Sequence, residues 1–363
     1  KSVIKNDKFR PLHLRYISYD SQSNDFKLLL DKGDFLKGPL KGLSPKGTVP
    51  DEARLQEATQ ELMKFFFIGL ALPNEKFWVN LRPDSPDNIL DPLLEKTDIG
   101  RIFLEADVQL KKDTAAMTSP QTKEGKEYWD KLYKKAGELF GTEHIAIPTI
   151  TRPWIVPNEI IIREAPDNAY IYKATLKVML EEDYLKSPSH QVTKSPVNQA
   201  EYSFKDPRLK ELNEYSTQLI KETIIPKLTY EVNTSKRYAP LRQVYYSLIL
   251  AQWFKQKYKG LSPKGTVPNR IDSGDLTNLT SKEPYDKQSY FQQYQKSFKD
   301  GEYNLQEPVS TTMGQSIRRY VSGGMQIDCS SAIETGKITA GSSIKTSGNK
   351  AFYLSEANFS SSS

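Results

Sequence analysis

The sequence predicts an α+β fold: a helical layer packed on a central antiparallel sheet, with a smaller C-terminal β-rich element. Three observations carry that expectation. Apolar residues recur at helical spacing through 51–141 and again through 206–300. Between these blocks, residues 145–185 read as extended chain and a hairpin, apolar on one face and polar-aromatic on the other. Helices and hairpins are also grouped instead of alternating as βαβ units, which disfavours a parallel sheet. The expected organisation is an irregular N-terminal segment with short strands over 1–50, an α+β core domain over 51–300, and a Ser/Gly-rich β element or tail over 301–363.

Each element has a local reason. His13 to Tyr19 and Phe26 to Leu30 read as short strands in a glycine-broken segment. The first helix follows Pro50, with Asp51 and Glu52 suiting its positive end; Leu55, Ala58, Leu62, Phe65, Phe66 and Leu70 form one stripe, and Pro73 stops it. Phe77, Val79 and Leu81 alternate as a strand. Thr97 caps a second helix through Ile99, Ile102, Phe103, Ala106 and Leu110, and Ser119-Pro120 opens a third that ends at Gly141. Glu159–Glu164, the turn Ala165-Pro166-Asp167-Asn168 and Ala169–Leu180 make the hairpin. Asp206-Pro207 is a cap followed by a first-turn proline, Pro226 should kink or end that helix, and Ser235 starts the next, closed by Gly260. Pro284 to Lys299 forms the last helix. Beyond Gly301, with thirteen serines in 301–363, the β-prone pieces are Ile317–Val321, Met325–Ile327, Lys337–Thr339 and Ala351–Leu354.

Composition removes several classes of function. A net charge of +6 over 363 residues, without Lys/Arg clusters, argues against a nucleic-acid partner. The longest apolar stretch, Leu62 to Leu72, is interrupted by Lys64 and falls short of the roughly 20 residues of a membrane span. Cys329 is the only cysteine, so no intrachain disulfide or cysteine zinc site is possible, and His13, His144 and His190 have no ligand spacing. Neither a G-x-G-x-x-G nor a G-x-x-x-x-G-K-[ST] pattern occurs, nor a G-x-S-x-G elbow, so no cofactor is expected. The chain opens at Lys1 rather than Met, as expected of a fragment or a processed form.

Candidate site residues are few. Asp84, Asp87 and Asp91 crowd a Pro-rich loop with Asn88, and hard oxygen ligands there are the metal candidates, although the spacing is not that of an EF-hand and turn chemistry alone explains them. Asp98, Glu105 and Asp107 follow, and two such carboxylates would also suit a hydrolytic acid/base pair. Tyr170 and Tyr172 share one hairpin face and are interface candidates, since exposed tyrosine buries large area and keeps a hydroxyl bond. The decapeptide from Lys41 to Pro50 recurs letter for letter from Lys259 to Pro268, which makes Lys46 and Lys264 matched cationic interface candidates, or the two segments simply stiff connectors.

The run from Leu72 to Asp84 (LPNEKFWVNLRPD), the run from Thr149 to Glu164 with its Arg152-Pro153-Trp154-Ile155-Val156-Pro157, Tyr170 to Leu185, Leu241 to Phe254 and Gly323-Gly324-Met325 together resemble an uncharacterised bacterial protein family. The resemblance spans about residues 50–325 and implies an exported or surface-associated chain with no assigned activity. It supplies no catalytic residues. The lean apolar content, the Ser/Gly-rich β terminus and the absence of a catalytic or cofactor motif make the expected function non-enzymatic: a structural or assembly protein of the bacterial cell surface or extracellular space, partnered by copies of itself, with β-strand addition as the mode of contact. The alternative is a secreted carboxylate-dependent hydrolase or glycan-binding protein, whose partner would be a glycan or another surface protein.

Overall fold

The computed structural model describes residues 8–23, 25–35, 51–72, 77–83, 86–141, 146–186, 206–258, 285–303, 309–310, 316–321, 323–327, 333–337 and 352–354. Both copies of the repeated decapeptide lie outside these residues, and so do Asp84, His144, His190 and Cys329.

In chain order the elements are β1 (His13–Asp20), β2 (Asp25–Asp31), α1 (Asp51–Ala71), β3 (Phe77–Val79), α2 (Asp98–Met117) and α3 (Lys123–Phe140). Thr97 caps α2 as its sequence suggests, its side chain accepting from the Gly100 N–H. The cap of α3 is Thr122 instead of Ser119: the Thr122 hydroxyl accepts from the Gly125 N–H at 3.0 Å, while the Ser119 carbonyl closes the preceding turn. Gly141 ends α3 in the left-handed conformation, φ 65°.

Then come β4 (Ala146–Thr151), β5 (Pro153–Glu164), β6 (Asn168–Leu180), α4 (Glu181–Lys186), α5 (Pro207–Thr223) and α6 (Ile225–Thr234). Asp206 caps α5, and Pro226 occupies the first turn of a new helix, so the break falls where proline removes an N–H. Ser235 makes no side-chain cap; one 3₁₀ turn (Lys236–Tyr238) precedes α7 (Ala239–Lys257), which carries Pro240 in its first turn. The remainder is α8 (Lys287–Lys299), β7 (Val309–Ser310), β8 (Ser316–Val321), β9 (Gly324–Ile327), β10 (Ile333–Lys337) and β11 (Phe352–Leu354).

The fold is α+β, but the sheet is mixed instead of antiparallel. Eight strands form the main sheet in the order β11-β2-β1-β6-β5-β9-β3, with β10 also on β5; β4, β8 and β7 form a second sheet. Both β9 and β10 run parallel to β5, and β8 runs parallel to β4. Alternation along a strand is the same in either pairing sense, so the sequence pattern does not reveal direction. The strands of residues 1–50 belong to the main sheet, with β1 between β2 and β6, and the strands beyond residue 308 are spread over both sheets.

The core lies between the main sheet and the helices. Tyr19, Phe26, Phe66 and Phe254 meet there from β1, β2, α1 and α7, with ring centroids 5.0 to 6.2 Å apart. A smaller cluster covers the opposite face: Trp154 and Val156 alternate away from the buried Ile155, and Trp154 stacks on Tyr184 of α4 at 4.9 Å. The Trp154 indole N–H donates to Glu181 at 3.0 Å, so the first residue of α4 holds this cluster in place.

Candidate functional site

The sequence-predicted tyrosines meet where β1 and β6 part. The two strands pair only from Tyr16↔Tyr170 to Ser18↔Asn168. Each carries one extra residue at the fork: Arg15 in β1, between Leu14↔Leu30 and Tyr16↔Leu29, and Tyr172 in β6, between Ile161↔Lys173 and Ile162↔Ile171. A bulge re-aims its side chain and bends its strand. Tyr172 is accordingly pushed out to 60% exposure, with the Arg163 guanidinium over its ring at 5.7 Å.

Arg15 fills the fork. Its guanidinium donates to the Ile171 carbonyl at 2.9 Å and to the Tyr172 carbonyl at 3.2 Å, pairs with Asp31 at 3.4 Å, and lies over the rings of Tyr170 and Tyr246. Beyond it the edge of β6 is sealed by helix side chains. Tyr246 and Tyr245 donate to the carbonyls of Ala174 and Thr175; Asn233 accepts from the Leu176 N–H at 3.0 Å and donates to its carbonyl at 2.7 Å; Thr229 accepts from the Val178 N–H at 3.0 Å. An open edge is a template for another strand, and here side chains of α6 and α7 occupy it. Asn233, which opens an Asn-Thr-Ser triplet, is committed to this seal.

His13 lies behind the fork, buried and stacked on Tyr246 at 4.3 Å, and its Nε2 has no hydrogen-bond partner among the described residues. Burial, then the cationic Arg15 and Arg242, lower its pKa to about 3, against the opposing pull of Asp31. The imidazole therefore stays neutral across the physiological range and does not serve as an acid. Because the unfolded chain takes up this proton first, stability should fall as pH drops from 6.5 towards 3, by at most about 1.4 kcal/mol per pH unit. His13→Phe keeps a ring on Tyr246 and removes the unpartnered nitrogen, so it should raise stability by about 1 kcal/mol and flatten that acid limb. Urea denaturation of both proteins between pH 7 and pH 4 measures the two effects.

The acidic candidates separate. Asp87 is exposed at the loop tip, and Asp91 is buried, accepting from the Leu93 N–H at 2.9 Å as a turn residue. Asp98 takes Lys64 at 2.6 Å, and Glu105 takes Arg101 and the Tyr290 hydroxyl, both at 3.0 Å. Asp107 and Lys111 are both fully buried: Lys111 donates to both Asp107 oxygens at 2.7 Å and to the Gly323 carbonyl at 2.8 Å. All three ammonium hydrogens are thereby used, and this pair is a tie between α2 and the turn before β9. Burial pushes the Asp107 carboxyl up and the Lys111 amine down, and their mutual attraction pulls each back. Among the described residues no three His, Cys, Asp or Glu side chains come together to hold a metal.

A second cluster, two buried carboxylates under a partly exposed arginine, has no spacing signature in the sequence. Arg237 bridges Asp113 at 3.2 Å and Glu231 at 2.9 Å, and the Tyr238 hydroxyl donates to Asp113 at 3.0 Å. Burial raises the pKa of both carboxyls, and Arg237 draws both back down. These residues come from α2, α6 and the 3₁₀ turn, so no sequence spacing announces them. Charged residues next to the apolar stripe of α2, at 107, 111 and 113, were the one legible signal.

Compared with protein-family models, with curated proteins and with solved structures, the chain has no match. No helix among the described residues is long and apolar enough to cross a membrane, consistent with the expected lack of a helical span.

Proposed function

We propose that this chain is a non-enzymatic structural protein of the bacterial cell surface or extracellular space that assembles with copies of itself, into filaments or smaller homo-oligomers, by β-strand addition. One observation carries the reading: strands from the C-terminal part of the chain are additions to sheet edges. β11 lies on the outer edge of β2, and β10 runs along the free side of β5 from Ile160 to Glu164. In this reading the Ser/Gly-rich C-terminal part is a β-rich element whose strands complete sheets, with main-chain bonds for affinity and alternate side chains for register. The sealed edge of β6 supports it, because it leaves strand addition to the other edges. The export and surface location rest on the family resemblance. The Tyr172 surface, with Arg163 beside it, is available to the same partner.

Light scattering and electron microscopy on the full chain, against a chain lacking residues 330–363, test the proposal. The full chain should associate as concentration rises and the truncated one should remain monomeric. A full chain that stays monomeric at high concentration defeats it.

A further inference from the structure

The two edges covered by the end of the chain lie on opposite sides of four strands. β10 sits on β5 and β11 sits on β2, with β1 and β6 between. At about 4.8 Å per strand, five spacings put β10 and β11 about 24 Å apart. Fifteen residues from Lys337 to Phe352 can extend at most about 50 Å, twice that separation, so chain length does not confine β11 to its own β2.

The pairing at β2 is short. Among the described residues the register is Phe352↔Leu30, Tyr353↔Leu29 and Leu354↔Leu28, whereas β2 runs for seven residues. Each backbone bond gained is worth about 0.5–1.5 kcal/mol net, and each residue ordered costs about 1–2 kcal/mol. The three described pairs by themselves contribute little net stability, so passing them from one molecule to another costs little. The acceptor is also unlike the edge of β6. It presents Leu28, Leu29 and Leu30 in a row, with no proline, and only Lys27 as a charge between Asp25 and Asp31. Such an edge invites a strand.

We propose that the outer edge of β2 accepts β11 from a second copy of this chain, so that the pairing made within one molecule is made between molecules in the assembly. This rests on the self-assembly reading above and names its acceptor and its donor. Each chain offers one β11 and one β2 edge, so the contact is head-to-tail and propagates unless its rotation closes a ring.

Disulfide trapping tests it. In a Cys329→Ser background, Leu29→Cys is made in a chain with one tag and Tyr353→Cys in a chain with another. Opposite residues of an antiparallel pair lie within disulfide reach. Mixed and oxidised, the two chains should give a mixed-tag covalent dimer at about tenfold the yield of an off-register pair, Asp20→Cys with Tyr353→Cys, because cysteines more than about 7 Å apart do not bridge. The yield should rise with concentration. The single chain carrying both Leu29→Cys and Tyr353→Cys controls for folding and for the register itself. If that chain closes an internal disulfide while the mixed pair stays at the off-register level, β11 does not exchange and the inference is overturned. Failure of both trapping reactions overturns it as well. Light scattering on the same samples separates the two proposals: association without trapping means another surface assembles the protein, and a monomer means that self-assembly itself fails.

Discussion

Replacing Lys111 with methionine should destabilise the fold by about 3–5 kcal/mol, the cost of leaving a buried partner charge uncompensated. Asp107 would then sit fully buried with its carboxylate facing no cation among the described residues, where the Leu81 N–H at 3.2 Å is the donor left to it. Gly323 adds to the cost, because its carbonyl would no longer accept from the ammonium. Equilibrium unfolding in urea, read as a midpoint shift at constant slope, measures the change. Adding Asp107→Asn should recover most of the loss, since the amide is uncharged and its oxygen still accepts from Leu81. A change under about 1 kcal/mol for the single variant would mean that the pair is hydrated in solution and holds nothing together.

Gly323→Ala should be of similar size, about 3–5 kcal/mol, for a steric reason. The residue has φ 123°, a conformation that side chains rarely adopt, and a Cβ there would overlap the Pro153 carbonyl. Nothing flexible can yield, because the obstacle is backbone. The turn would have to open, and β9, whose four residues are all buried between β5 and β3, would leave the sheet. A drop in melting temperature of about 5 °C is the expected readout. Gly137→Ala in α3 is the control: nothing lies within 4 Å of a Cβ there, so it should be neutral or stabilise by up to about 1 kcal/mol. Gly323 and Lys111 share one hydrogen bond, so the two losses should not add.

The candidate site was legible only in part. Tyr170 and Tyr172 stood out because alternation on a hairpin assigns faces without knowledge of the rest of the fold. Their setting did not, because Arg15 reaches them across 156 residues of sequence and the bulge at Tyr172 leaves no mark in the letters. The acidic run from Asp87 to Asp107 looked like one cluster along the chain. In space Asp87 is exposed on a turn, while Asp107 is inside, tied to a lysine one helical turn away.

Local chemistry determined the elements. Thr97, Asp206, Pro226 and Gly141 act on hydrogen bonds within a few residues of themselves, so these helix limits follow from sequence, whereas the starts of α3 and α7 fall a few residues beyond Ser119 and Ser235. The same holds for the hairpin of β5 and β6, whose strands are joined by a short turn. What only the tertiary structure decided is which strands become neighbours, in what direction, and which charges end up without water. β1 lies beside β6, β9 and β10 share one edge of β5, and Lys111 points at Gly323, all through contacts between residues far apart in the chain. Such pairings are chosen by the apolar surface the whole molecule buries, a quantity that no single stretch of sequence contains.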